Sequence, residues 1–117
     1  MMKKTVEQGS LEQEIMTFVS AFIKKTNGRG PRDVKVKMVD NLMLYFIEGI
    51  LSPMEKYILQ SPQGKSTIFE ARRLYVENIK EERVAAFEKI LNAKVIDHYI
   101  GWDLDKDSAV GVVVYEK

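Results

Sequence analysis

Val34-Lys35-Val36-Lys37-Met38-Val39-Asp40-Asn41-Leu42-Met43-Leu44-Tyr45-Phe46-Ile47-Glu48 is the stretch on which the fold turns. Successive side chains of a strand point to opposite faces. Val34, Val36 and Met38 therefore share one side and Lys35 and Lys37 the other, as in a half-buried strand with one wet face. Asp40-Asn41 tolerates the positive φ of a tight hairpin turn. The return half is apolar on both sides, with Leu42, Leu44 and Phe46 on one and Met43, Tyr45 and Ile47 on the other. Such a strand needs cover on both faces, from helices or from a second subunit.

Upstream, Ser10 and Gln13 have capping-box spacing, so residues 1–9 read as an N-terminal tail and 10–117 as a single domain. Leu11, Ile15, Phe18, Val19, Phe22 and Ile23 recur at helical spacing. Lys24 and Lys25 suit the last turn, and Gly28 is placed to stop the helix. Downstream, Ser52-Pro53-Met54-Glu55 opens a short helix with an N-cap serine, a first-turn proline and a capping glutamate. Ser61-Pro62 restarts the pattern, and residues 62–91 read as one long helix ended by Asn92. Val95 to Leu104 is extended, with Ile96, His98, Ile100 and Trp102 on one face and Asp97, Tyr99, Gly101 and Asp103 on the other. After a turn at Asp105–Ser108, Ala109 to Tyr115 forms the last strand. The expected class is α+β in the order α-β-β-α-α-β-β: two hairpins making a four-stranded antiparallel sheet, packed with helices.

A chain of 117 residues suits one domain. A formal net charge of +1 lacks the basic excess of a nucleic-acid binder, and Lys35 and Lys37 read as solvation of a wet strand face. The absence of cysteine removes thiol catalysis, disulfides and zinc–thiolate sites. Met1-Met2-Lys3-Lys4 is followed by the polar Thr5–Gly9, without the apolar core of a signal peptide, and no run approaches the ~20 apolar residues of a membrane span. The expected location is cytoplasmic.

Gly64-Lys65-Ser66-Thr67 resembles the end of a phosphate-binding loop, but Leu59 stands where the first glycine belongs and no strand precedes it. His98 is the single histidine, so neither a two-histidine metal site nor a nucleophilic triad is expected, and neither is a cofactor. On an apolar strand face it reads as a hydrogen-bonded core histidine. Arg72 and Arg83 fall inside the apolar stripe of the long helix, about 16 Å apart along its axis. A guanidinium there must be paired, reach solvent or meet an anion. Asp97, Asp103 and Glu48 are the partners considered, with Glu55 assigned to capping. In Asn27-Gly28-Arg29-Gly30-Pro31, glycines flanking an arginine allow an anion nest of backbone N–H groups, or simply a rigid connection.

Gly28-Arg29-Gly30-Pro31, the Val-Lys-Val-Lys strand, the stretch Glu48–Lys56 with Leu51-Ser52-Pro53-Met54-Glu55-Lys56 at its heart, and Arg72 together resemble the bacterial MpsC/YbcI-like family. That family is named for a sodium-translocating, membrane-potential-generating system whose partners look like machinery for inorganic-carbon uptake. The resemblance covers nearly the whole chain. It implies a non-enzymatic accessory or regulatory protein working with a membrane transport complex and responsive to bicarbonate or a related small anion. The expected anion site is Gly28, Arg29, Gly30 and Arg72, with His98 and Arg83 as secondary candidates, in a homodimer. The alternative is a homo-oligomeric interaction module without ligand, in which a charge at Tyr45 or Ile47 breaks the interface. A third reading is a lyase or hydratase using His98 and Asp103.

Overall fold

The apolar repeat that starts at Leu11 lies in α1 (Val6–Asn27) of the computed structural model, which describes residues 6–117. Ser10 sits inside this helix, so Ser10 and Gln13 do not cap its start. Glu7 and Gln8 are good helix formers and carry the turn past the serine. Residues 1–5 of the expected tail lie outside the described residues.

β1 (Asp33–Val39) and β2 (Leu42–Glu48) form the first hairpin, in register from Asp33 opposite Glu48 to Val39 opposite Leu42. Asp40 takes the left-handed conformation at the turn, φ 53°. α2 (Pro53–Ile58) carries the full capping box at Ser52 and Glu55. β3 (Val95–Asp103) and β4 (Ser108–Tyr115) make the second hairpin. β2 pairs with β4, joining the hairpins into one antiparallel sheet of order β1-β2-β4-β3.

The long helix expected over residues 62–91 is present in two parts, α3 (Gly64–Asn78) and α4 (Lys80–Leu91). Ile79 between them has φ −100° and ψ 6°, outside the helical region. The break exposes carbonyls at the end of α3. One of them, Val76 O, accepts a hydrogen bond of 2.9 Å from Arg83 Nη1, so a side chain completes what the backbone leaves open. Asn92 ends α4 in the left-handed conformation, as its type favours.

Helices pack against one sheet face. Ile15 and Val19 of α1 and Phe87 of α4 meet Val34, Val36, Met43, Tyr45, Ile47, Ala109, Val113 and Tyr115 in a continuous buried core. Full burial of each large apolar side chain stabilises by about 1.5–3 kcal/mol relative to exposure. A second cluster, Leu51, Ile68 and Leu104, fastens α3 to the end of the sheet. At the β1 edge the Met38 N–H donates to the buried Glu12 carboxylate over 2.9 Å, which keeps part of that edge from pairing elsewhere.

The strand register fixes what the outer face presents. From end to end its cross-strand rows are Asp33–Glu48–Ser108–Asp103, Lys35–Phe46–Val110–Gly101, Lys37–Leu44–Val112–Tyr99 and Val39–Leu42–Val114–Asp97. Ile96 departs from the expected face: a register shift between Val95 and Asp97 leaves it 52% exposed.

Candidate functional site

The loop after α1 is built by its ends. Gly28 has φ +84° and its N–H bonds Lys24 O at 3.0 Å, a left-handed helix stop that favours glycine. Asn27 Nδ2 donates to Ile50 O at 3.2 Å, tying the loop to the segment after β2. Arg29 is exposed and its side chain has no partner among the described residues.

Arg72 meets the same carbonyl from the other side. Its Nη2 donates to Ile50 O at 3.2 Å and to Glu55 Oε1 at 2.6 Å, and its Nε donates to Glu55 Oε2 at 3.0 Å. The guanidinium lies over the Trp102 ring, 5.0 Å from its centre. Glu55 Oε1 also accepts the Ser52 N–H at 2.9 Å, so one carboxylate caps α2 and neutralises a buried arginine. Asp107 Oδ1 takes the Ile50 and Leu51 N–H groups at 2.9 and 2.8 Å. Asn27, Ile50, Glu55, Arg72 and Asp107 thus clamp one end of the sheet. Arg72 is charge-matched there, by Glu55 and not by Asp97, Asp103 or Glu48, and it makes no hydrogen bond with Arg29.

Arg83 and His98 come together elsewhere, between α4 and the inner sheet face. Arg83 Nε donates to His98 Nδ1 at 3.0 Å. Nδ1 must therefore accept, and neutral His98 keeps its proton on Nε2, 2.5 Å from the Tyr45 hydroxyl. The Tyr45 ring in turn occupies the space over Gly111, where any Cβ would come within 2.0 Å of it. Burial, then the Arg83 and Lys80 cations, lower the His98 pKa to about 4. Burial raises the Tyr45 phenol far above its ordinary value, against the pull of Arg83, and burial also lowers Arg83. At neutral pH His98 is a weak base and Tyr45 a protonated phenol. The trio holds protons in place. Asp103, the other half of the lyase reading, projects from the opposite face of β3.

Two spaces adjoin this trio. An apolar cavity of about 60 Å³ lies among Phe18, Phe22, Tyr75, Ile79 and Phe87, with Tyr75 hydrogen-bonded to Thr26. An open groove of about 620 Å³ runs between α3 and β3 past Phe69, Val76, Arg83, His98 and Trp102. Lys65 of the phosphate-loop-like stretch is paired to Asp105 at 3.0 Å, and the Ser66 and Thr67 hydroxyls bond Gln63 O. Among the described residues, no group of three or more histidine or acidic side chains is placed to hold a metal ion, and no helix is long and apolar enough to cross a membrane.

Sequence reasoning missed the second role of Glu55, because the capping box already explained it. It missed Tyr45 as a polar partner because the residue sits in an apolar alternation, and it missed Asp107 in what reads as an ordinary turn. The one available signal was the buried register of Arg72, which demanded a carboxylate.

Fold and site define a small two-layer α+β protein whose charged signature residues are largely committed to its own architecture. Residues 7–117 match the family described as Na+-translocating membrane potential-generating system (MpsC), and the chain belongs to that family. It is similar to YbcI of Bacillus subtilis (strain 168), 30% identical over 115 residues that span 98% of this chain and 90% of the relative. It is also similar to YrhF of the same organism, 23% identical over 95 residues, 80% of this chain and 78% of the relative; both relatives are named as uncharacterized. No solved structure matches the chain significantly.

Proposed function

We propose that this chain is a non-catalytic accessory subunit of a membrane-potential-generating system, and that it works as a homodimer joined through the outer sheet face. The observation that carries this reading is the pattern of that face. Its middle is apolar, with Phe46 37% and Val110 40% exposed beside Leu42, Leu44, Val112 and Val114. Lys35 and Lys37 lie mid-way along the β1 side, with Asp33 at its end, and Asp97 and Asp103 lie at the two ends of the β3 side.

The charges favour a second copy as the occupant and select its orientation. A two-fold axis parallel to the strands lays the β1 margin of one copy over the β3 margin of the other: Lys35 and Lys37 fall on Gly101 and Tyr99, one row from Asp103 and Asp97, while Asp33 falls on Asp103, with apolar rows between. A two-fold across the strands would set lysine on lysine. Apart from the Asp33–Asp103 approach, the first arrangement is complementary, as an isologous interface requires. It also gives the aligned packing of sheet sandwiches.

Charge reversal tests the arrangement. Lys37→Glu and Asp97→Lys should each weaken the dimer, and the double variant should restore it, read by sedimentation velocity at low salt. Reversals that leave association unchanged would remove this orientation. Regulation by a small anion such as bicarbonate belongs to the same proposal, supported by Arg29, exposed with no side-chain partner among the described residues. Calorimetric titration with bicarbonate checks it: heat that disappears in Arg29→Ala supports it, and equal heats in both proteins sink it.

A further inference from the structure

Among the described residues two arginines are buried, and only one has a counter-charge there. Arg72, 5% exposed, is held by both oxygens of Glu55. Arg83 is 7% exposed, and no carboxylate among the described residues lies within ion-pair distance of it. Its Nε is spent on a neutral imidazole and its Nη1 on the Val76 carbonyl. Nη2 has no partner among the described residues, where no sealed side-chain nitrogen lacks one, so Nη2 is reached by solvent. Arg83 lines both the small apolar cavity and the larger open groove between α3 and β3, and the groove is the more polar of the two. Removing a charge from water without pairing it is costly.

We propose that this groove binds a small carboxylic acid anion with an apolar, preferably aromatic body. The carboxylate accepts from Arg83 Nη2, and the body lies along Phe69, Val76, Ile100 and Trp102, which line the same groove. The volume of about 620 Å³ falls in the range of small-molecule sites. The rim selects against more highly charged ligands. Glu70, Arg73 and Glu77 all border the groove, and Arg73 pairs both glutamates at 2.7 and 3.0 Å, so the three together leave a net negative charge and no unpaired cation. A dianion such as a phosphate monoester meets that rim and a single free guanidinium amino group; a monoanion needs no more than that group supplies. His98 fixes the arginine: by accepting from Nε it holds the guanidinium plane and leaves Nη2 free. The site lies on the helix side of the sheet and is independent of the proposed dimer.

The test uses benzoate as probe, with benzamide as its uncharged isostere and phenyl phosphate as its dianionic one. The full chain, labelled with ¹⁵N, is followed through the Arg83 Nε–H and His98 ring nitrogens. The expected result is a saturable shift of both with benzoate in the millimolar range. Benzamide should give none and phenyl phosphate a weaker one. Arg83→Met should abolish the response. Because that variant also frees the Val76 carbonyl and can unfold the chain, Phe69→Ala, at a position 39% exposed, provides a second variant. It should raise the benzoate Kd about threefold to tenfold by removing an aromatic contact. No saturable shift at Arg83 and His98 in the wild-type protein overturns the proposal, and so does a benzamide response equal to that of benzoate.

Discussion

On the inner face of β2, Met43, Tyr45 and Ile47 are 0%, 5% and 5% exposed beneath the helices, whereas Phe46 on the outer face is 37% exposed and flanked by Leu42 and Leu44. The two rows differ little in composition; what separates them is cover. The inner face spends its few polar groups internally, on the Arg83–His98–Tyr45 chain. The outer face keeps its charges at its margins, with Asp33, Lys35 and Lys37 on β1 and Asp97 and Asp103 on β3. One pattern belongs to a core; the other is the pattern on which the proposed dimer rests. The comparison corrects the residues to target: Tyr45 and Ile47, expected at a subunit interface, belong to the core.

The sharpest way to break this contrast is to exchange faces. Ile47→Asp should cost more than about 4 kcal/mol, because it puts an unpaired charge into the core. Leu44→Asp should change the stability of the isolated protomer by less than about 1 kcal/mol. Urea unfolding at a protein concentration below any association reads both, and equal losses would erase the distinction.

The clamp of Arg72 and Glu55 gives the next largest effect. Glu55→Gln leaves a buried guanidinium without its counter-ion and removes the carboxylate of the cap. The expected loss is about 3–5 kcal/mol. A substitution that costs under about 1 kcal/mol in thermal unfolding would mean that Arg72 is not neutralised by Glu55.

The polar chain of the inner face sharpens the comparison through pH. The His98 pKa is lowered in the folded state, from 6.5 to about 4, chiefly by burial. The unfolded chain therefore binds the proton first as pH falls, so the contribution is fully present above pH 6.5 and is lost from there down towards pH 4. The expected loss is on the order of 3 kcal/mol for one histidine. His98→Gln should flatten the stability profile over this window; an unchanged profile would show that His98 titrates normally. Outer-face variants should leave the profile as it is.

Much of this architecture could be read from side-chain type and spacing. The hairpin at Asp40-Asn41, the cap at Ser52 and the stop at Asn92 each follow from local stereochemistry, and the structure has all three. Local chemistry does not decide which face of β2 receives the helices, since both are apolar. The break at Ile79 carries neither glycine nor proline, and its completion by Arg83 is a contact between a side chain and a carbonyl seven residues earlier. The Glu55–Arg72 pair spans 17 residues and two helices, beyond any spacing rule for a single helix. For the candidate site, the sequence identified both arginines as anomalous. Only the fold separates the one that is paired from the one that is not.

Sedimentation equilibrium of the wild-type chain and of Leu44→Lys tests the central claim most directly. The wild type should approach twice the 13.5 kDa chain mass at micromolar concentration, and the folded Leu44→Lys variant should remain at the mass of one chain. A wild-type protein that stays at one chain mass across that range, or a Leu44→Lys variant that dimerises as readily, would contradict it.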